Sequence, residues 1–178
     1  MIDLNNESGV EADELGLVAL ARFALEKLRI HPQADLSILL VDEATMADYH
    51  ERFMDLPGPT DVMSFPMDEL RSPAEDEDPP MGLLGDIVLC PQVTERQAAD
   101  NGREPDAEAE YLLIHGLLHL LGHDHAEPEE KAVMFGLNDK IIAAWACGTH
   151  SSSGLPRWWA PAYSPSSRPP PRWPGAPC

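Results

Sequence analysis

The sequence predicts an α+β fold, in which a small mixed sheet of about four strands packs with five or six helices. Apolar strand-like runs alternate along the chain with segments whose apolar residues recur at helical spacing. Helical segments join several successive strands, and such crossovers place parallel strands side by side. With 178 residues, 43% of them hydrophobic, the chain is long enough for one domain with a substantial core.

Residues 1–66 contain five predicted elements. Leu15, Val18 and Leu25 lie at helical spacing in the first helix, and the segment LPGPT supplies the prolines and glycine that end the second. Pro66 closes the last strand of this part. The elements are strand 2–6, helix 12–30, strand 35–42, helix 43–55 and strand 61–66.

Residues 83–145 contain one predicted strand and three helices. The apolar run LLGDIVLC reads as the strand, and Pro91 suits the first turn of the helix that follows it. The middle helix is acidic at its start and is closed by Gly122. The elements are strand 83–90 and helices 91–100, 105–122 and 128–145.

The composition changes abruptly after Trp145. Residues 146–178 contain no Asp or Glu, three Arg and eight Pro, and have no helical or strand period. This composition is typical of a disordered appendage. We therefore predict a domain over residues 1–145 and a Pro/Ser/Trp-rich tail over 146–178. The tail's tryptophans are either a peptide motif for a partner or unrelated to the function.

Charge and cysteine content limit the functional classes. The net charge is −19, and the body without the three tail arginines carries 9 basic and 31 acidic residues, or −22. Such a balance argues against non-specific adhesion to nucleic acid or membranes. No apolar run approaches the roughly 18 residues of a membrane span. The three scattered cysteines and the absence of a signal-peptide pattern predict a cytoplasmic protein without a disulfide framework.

The segment HGLLHLLGHDH, residues 115–125, predicts a metal site. His115 and His119 are four residues apart on a predicted helix, so both lie on one face. Gly122 then turns the chain back, and His125 can supply a third nitrogen. Three imidazoles with a fourth position for water are typical of catalytic zinc, which lowers the pKa of its water to about 7. We predict one Zn²⁺ per chain.

The neighbours of these histidines leave several interpretations open. The spacing HxxxHxxGxxH is that of metzincin proteases, which carry a catalytic Glu directly after the first His. Here that residue is Gly116, although glycine within a helix costs about 1 kcal/mol relative to Ala. This argues against a protease. His123 is an outer hydrogen-bond donor, an alternative ligand or an exposed residue. Asp124 is a turn residue or a carboxylate that orients a histidine or accepts a proton.

Three segments resemble the YbeY family of bacterial endoribonucleases. HGLLHLLGHDH is similar to the family signature HGxLHLxGYDH, with His123 in place of the usual Tyr. PTDVMSFP, residues 59–66, and LGDIVLC, residues 84–90, are similar to the family's PTDVLSF segment and GDI strand. All three lie within residues 1–145, and the tail is not covered.

The resemblance implies a single-strand-specific, metal-dependent endoribonuclease with a zincin-like, metalloprotease-like fold. It implies zinc on His115, His119 and His125, with His115 also among the catalytic residues. It further implies action on rRNA, notably at the 3′ end of small-subunit rRNA, and in ribosome quality control. Ribosomal proteins and an assembly GTPase would be partners, and no membrane is involved.

The resemblance also points to an arginine that binds a phosphate. Arg52 stands three residues before Asp55, as the family's functional arginine does, but the spacer to Pro59 is longer here. A guanidinium suits bidentate phosphate binding. The alternative is an exposed helix residue paired with the acidic body. Thr60, Asp61 and Ser64 either line the same cleft or serve the turn and strand start.

Two further functions stay open beside the endoribonuclease. One is a zinc metalloprotease-like hydrolase, which Gly116 argues against. The other is a non-catalytic ribosome-assembly factor whose metal only shapes a binding surface.

Overall fold

The computed structural model describes the backbone of residues 1–150 and the side chains of residues 1–148. Within that range the chain forms four strands and five helices, which confirms the predicted α+β class. The elements are β1 (Ile2–Asn6), α1 (Glu14–Lys27), β2 (Asp35–Leu40), α2 (Glu43–Met54), β3 (Val62–Pro66), β4 (Leu83–Leu89), α3 (Pro91–Asn101), α4 (Pro105–Leu120) and α5 (Pro128–His150).

The four strands form one mixed sheet in the order β1-β2-β4-β3. The pair β1–β2 is parallel, because helix α1 carries the chain back between them. The pair β2–β4 is also parallel, because the intervening β3 runs in the opposite direction and is the antiparallel neighbour of β4. A register shift interrupts β4 at Gly85, whose φ is +129°. A side chain there would collide with the carbonyl oxygen of Phe65 on β3, so the close pairing of these strands requires glycine.

Each face of the sheet is covered by its own apolar cluster. One cluster joins Leu36, Ile38 and Leu40 of β2 to buried residues of α1, α4 and α5. On the other face, Met46 of α2 packs with Met63 of β3. The strand residues alternate between the two faces, as the period of two requires. Helices α4 and α2 therefore lie on opposite sides of the sheet, and this separates the predicted site residues that they carry.

The largest differences from the predicted helix boundaries are in α1 and α5. Helix α1 is shorter than residues 12–30, because the Asp13 side chain accepts a hydrogen bond from the Gly16 N–H and sets the start. Helix α5 continues to His150, five residues beyond the predicted end at 145, and the sequence contains no proline after Trp145 until Pro156. The remainder of the predicted disordered tail, residues 151–178, lies outside the described residues.

No helix in the described part of the chain combines the length and the hydrophobicity that crossing a bilayer would require. The core of that part is built from the apolar faces of the sheet and of its helices, with α4 packed between the sheet and helices α1, α3 and α5. The C-terminal half of α4 carries the histidine segment.

Candidate metal centre

Helix α4 places the first two histidines side by side at its C-terminal end. His115 and His119 lie one turn apart, and their Nε2 atoms are 3.2 Å from each other. Tetrahedral zinc with Zn–N distances of about 2.0–2.1 Å would hold two such nitrogens roughly 3.3 Å apart. The separation therefore matches two ligands of one ion.

The turn after α4 brings in the third histidine. The Gly122 N–H donates to the His119 carbonyl at 3.0 Å, and the His123 N–H donates to the Leu118 carbonyl at 3.0 Å. This pair of bonds is a Schellman motif, which requires the left-handed φ of +81° at Gly122. The reversed chain carries His125 back to α4, where nitrogens of His115, His119 and His125 lie within 4.8 Å of one another.

Burial keeps His115 and His119 neutral. Burial, followed by the neighbouring His119 and His125, lowers the pKa of His115 to about 4. Burial is also the main cause that lowers the pKa of His119. A metal ligand must offer an unprotonated nitrogen, so both residues are ready to bind an ion at neutral pH.

A backbone carbonyl selects the tautomer of His119. Its Nδ1 lies 3.0 Å from the carbonyl oxygen of His123, which can only accept, so Nδ1 carries the proton. The lone pair of Nε2 is then directed at the histidine group, the arrangement usual for zinc-binding imidazoles. The Nδ1 atom of His115, by contrast, is buried and has no hydrogen-bond partner among the described residues. The donor set as a whole fits a divalent metal ion.

Gly116 does not face the histidine group. A Cβ atom built on it would lie 3.0 Å from Ile87, 3.1 Å from the Ser64 hydroxyl and 3.3 Å from Val62. Helix α4 thus packs closely on strands β3 and β4 at Gly116, where even a Cβ atom would press on three neighbouring side chains. The sequence alone offers no structural reason for a glycine within this helix. The structure supplies one, because Gly116 lets α4 pack closely on the sheet.

The polar residues in and before β3 have two roles: Ser64 contacts α4, whereas Thr60 and Asp61 form the turn that leads into the strand. The Ser64 hydroxyl donates to the Gly116 carbonyl at 3.1 Å, which ties β3 to α4. One carboxylate oxygen of Asp61 accepts from the Thr60 hydroxyl at 3.0 Å and from the Val62 N–H at 2.8 Å. Asp61 is also close enough to His115 to raise its pKa slightly, against the larger effect of burial. Asp61 therefore borders the histidine group, and Thr60 and Val62 fix its orientation.

His123 and Asp124 act through the turn. The hydrogen bonds of His123 with the site run through its main chain. Its side chain lies outside the three-histidine group but is close enough to His119 to help lower the pKa of that residue. Burial lowers the pKa of the His123 side chain itself. The Asp124 carboxylate accepts from the His125 N–H at 2.7 Å, which stabilises the turn that carries His125.

Arg52 lies apart from the histidines. It is exposed in the last turn of α2, with its guanidinium carbon 5.6 Å from the centre of the Phe53 ring. The Phe53 ring in turn packs at 4.9 Å on Phe65 of β3. Among the described residues, no hydrogen bond, ion pair or ring contact joins Arg52 to the histidine group. Its assignment as a phosphate ligand stays a prediction.

One residue of α5 contacts the histidines and a second packs over it, and neither was predicted. The Phe135 ring meets the rings of His115 and His125 edge-on, with centroids 5.7 Å and 6.0 Å apart. The Lys131 amino group lies 5.5 Å from the centre of the Phe135 ring. Their spacing of four residues places both on one face of α5, but only the packing of α5 beside α4 brings that face to the histidines.

Comparison with known proteins identifies the family. The family model described as "Endoribonuclease YbeY" matches residues 3–146. The chain belongs to the YbeY family. Its similarity to a Cutibacterium acnes protein named Endoribonuclease YbeY is 76% identity over 145 residues, covering 82% of this chain and 94% of that protein. A Streptomyces griseus protein of the same name is 56% identical over 156 residues, covering 86% and 94%.

A solved structure resembles the YbeY fold described above. The solution structure of TM1509 from Thermotoga maritima matches with a TM-score of 0.55 and covers 88% of this chain and 99% of that one. Its sequence identity is 24%, so the match concerns the fold. The expected family is thus confirmed, and the three-histidine group that could hold a metal ion lies within the part of the chain that the family model covers.

Proposed function

We propose that this chain is a metal-dependent endoribonuclease that cleaves single-stranded RNA in rRNA processing. Membership in the YbeY family and the relatives named as endoribonucleases support the reaction class. The observation that carries the proposal is the group of three imidazole nitrogens within 4.8 Å at the end of α4. This donor set is typical of hydrolytic metal sites.

The proposed cofactor is one Zn²⁺ held by His115, His119 and His125, with water in the fourth position. When bound, the ion would polarise a phosphoryl oxygen and provide a nucleophile at neutral pH. The protein's own part is to keep His115 and His119 neutral by burial and to orient His119 through the His123 carbonyl. Both features are present before any ion binds, so the site costs little reorganisation on metal binding.

The packing of α4 favours RNA over a peptide as the substrate. A zincin protease needs a glutamate at the position of Gly116 as general base. In this chain that position faces the side chains of Ile87 and Ser64, and a Cβ atom there would press on both at 3.0–3.1 Å. Because Gly116 brings no carboxylate to that position, the protease-like alternative lacks the base that zincins use.

Arg52 is the proposed ligand of a backbone phosphate. Its guanidinium is exposed, and its contact with Phe53 is of a kind that contributes only about 0.5–1 kcal/mol at exposed sites, so a phosphate can compete for it. Arg52→Ala is expected to weaken RNA binding while leaving the zinc content unchanged. Arg52→Lys should restore only part of the affinity, because an ammonium cannot bind the phosphate in a bidentate way.

We place the reaction in the cytoplasm, at the 3′ end of small-subunit rRNA and in ribosome quality control. The body carries −22, which opposes the approach of a polyanion. Delivery of the RNA by ribosomal proteins or an assembly GTPase would overcome this repulsion. An enzyme that relies on few phosphate contacts should also show a shallow dependence of affinity on salt.

The test joins metal analysis to an assay of rRNA 3′-end cleavage by the full chain. His115→Ala is expected to lose bound zinc and to lower cleavage more than about 100-fold, since even changes behind the ligands cost 10–100-fold. The matched control is His31→Ala, because His31 lies in the loop after α1 and accepts from the Gln33 N–H. The control should retain both zinc and activity.

Full activity of the His115→Ala protein without zinc would refute metal-dependent cleavage. If the variant instead lost zinc but still bound its ribosomal partners and supported rRNA processing, the non-catalytic assembly factor would be the correct function. Cleavage of a peptide panel with RNA left intact would revive the protease-like hydrolase.

A further inference from the structure

Helix α5 carries a lysine that is separated from the three-histidine group by one aromatic ring. The chain passes from His125 through a short turn to Pro128, where α5 begins. Phe135, on the second turn of α5, contacts the rings of both His115 and His125. Lys131 is one turn earlier, with its amino group over the same phenylalanine ring at 5.5 Å. The Phe135 ring is therefore in contact with both the Lys131 amino group and the two histidine rings.

The surroundings of Lys131 are acidic, yet its amino group has no carboxylate partner. Glu127, Glu129 and Glu130 are all exposed next to it in sequence. None of them, nor any other carboxylate of the described residues, lies within 4.0 Å of the amino group of Lys131. A cation that stays unpaired among acidic neighbours remains available to an anionic ligand.

Several other basic side chains of the body are already engaged. Arg96 pairs with Glu43 on the surface, and Arg103 pairs with the buried Glu108. Arg29 donates to main-chain carbonyls of the acidic loop, with its shortest bond to Ala74 at 2.6 Å. Each of these guanidinium groups is therefore already bound to an acceptor within the protein. Lys131 differs because its contact is with the face of a ring that itself borders the histidines.

The contact with Phe135 also permits Lys131 to move. Lysine has a flexible four-carbon stem, and cation–π contacts at exposed positions are weak. The amino group can leave the ring for a phosphate at small cost, while Phe135 stays against the histidines. The alternative to a role in substrate binding is a structural one. Lys131 and Phe135 would then only stabilise α5, as side chains four residues apart on a helix commonly do.

We propose that Lys131 is a substrate-binding residue that neutralises a phosphate of single-stranded RNA beside the three-histidine site. This inference rests on the proposed function, since it assigns a ligand to the same site. Before RNA binds, the Phe135 ring holds the lysine amino group 5.5 Å from its centre, one ring away from the histidines. In an otherwise acidic body, the phosphate contact at Lys131 also selects where along the strand the RNA crosses the site.

The experiment measures RNA cleavage and its salt dependence with the zinc-loaded full chain and a single-stranded RNA oligonucleotide. Lys131→Ala is expected to lower kcat/KM by roughly fivefold at low salt, mainly through KM. It should also reduce the slope of log affinity against log salt by about 0.7, the value for one contact to a single strand. Lys131→Arg should restore the slope, because it retains the charge.

Lys140→Ala is the matched control. Lys140 is exposed on the same helix, and nine residues of separation place it on the opposite side. Its variant should match the wild type in both kcat/KM and salt slope. Zinc content is measured for every variant, and Lys131→Ala is expected to keep its zinc.

The outcomes separate this inference from the proposed function. If His115→Ala is inactive but Lys131→Ala cleaves RNA with unchanged kcat/KM and salt slope, the lysine assignment alone is wrong. A loss of zinc in Lys131→Ala would also overturn it, since the lysine would then serve the structure of the site. If His115→Ala remains fully active without zinc, the metal-dependent function fails, and the salt slope still reports whether Lys131 contacts phosphate.

Discussion

Helix α4 carries ionisable side chains that are buried or half-buried near both of its ends, and the two groups differ in their partners. Near the N-terminus, Glu108 is 4% exposed, and its carboxylate accepts hydrogen bonds from Arg103 at 2.8 Å and Asn101 at 3.3 Å. Near the C-terminus, the half-buried His115 and His119 have each other as neighbours, and burial lowers the pKa of both.

The difference separates a group that serves the fold from a group that serves a ligand. A buried carboxylate with a cation and an amide around it has its hydrogen-bonding capacity met within the protein. In His115 and His119 the Nε2 atoms face each other, and a metal ion between them would satisfy both nitrogen lone pairs best. Substitutions at the N-terminal end should therefore change the free energy of unfolding, and substitutions at the C-terminal end should change metal affinity.

The largest expected effect on stability is at Glu108. Glu108→Ala removes the carboxylate and leaves Arg103 and Asn101 without their partner. Removing one partner of a fully buried ion pair costs about 3–5 kcal/mol, and we expect about 2 kcal/mol here because Arg103 is 35% exposed and can be rehydrated. Urea unfolding measures the change, and zinc affinity should stay as in the wild type. A variant that lost zinc affinity without losing stability would break the distinction between the two ends.

A substitution at Gly122 is expected to reduce stability less than Glu108→Ala and also to lower the affinity for the metal. Gly122→Ala forces a left-handed φ on alanine, which costs about 1–2 kcal/mol, and shifts the His123 carbonyl that orients His119. Zinc affinity should fall by roughly tenfold, the lower range for a lost outer contact. Isothermal titration with zinc gives the affinity.

Gly102 provides the matched control for this substitution. It ends α3 with a φ of +65° and has open space around its Cα, as Gly122 does. Gly102→Ala should lose similar stability and keep the zinc affinity of the wild type. Equal losses of zinc affinity in both variants would mean that the turn acts only through global stability.

The smallest expected effect is at Glu110. Burial raises the pKa of its carboxyl above the ordinary value, and the Trp145 indole N–H, which donates to it at 3.1 Å, opposes that rise. The folded protein therefore binds this proton more readily than the unfolded chain, so the contribution of Glu110 to stability falls as pH rises through the ordinary glutamate range.

Glu110→Gln keeps an oxygen for the indole and removes the charge. The variant should be more stable than the wild type at pH 7, by less than about 1 kcal/mol, and equal to it below pH 4. Thermal unfolding at both pH values measures this. Glu95→Gln, at an exposed position of α3, corrects for the general gain from lowering the negative charge. A gain at Glu110 no larger than at Glu95 would show that burial of the carboxylate costs nothing.

Much of the fold was predictable because it depends on local patterns. The nine predicted elements are all present, and the largest difference in a described boundary is the five-residue extension of α5. The strand order was not predictable. Strand β4 lies between β2 and β3, and that choice depends on which apolar faces meet after the chain has folded. Spacing alone likewise could not reveal that Gly116 faces the sheet.

The sequence by itself determined the grouping of the three histidines. Helix geometry fixes the distance between residues 115 and 119, and a left-handed glycine at 122 is the common way to reverse the chain towards a residue such as His125. Both rules act over a few residues, so they hold before any tertiary contact forms.

The tertiary structure decided what surrounds that group. It placed the Phe135 ring against the histidines, with Lys131 over that ring, from a separate helix. It left Arg52 on the helix that covers the other face of the sheet. These positions follow from which side chains fill the space between α4, α5 and the sheet. That is a property of packing between distant segments, and no local period in the sequence encodes it.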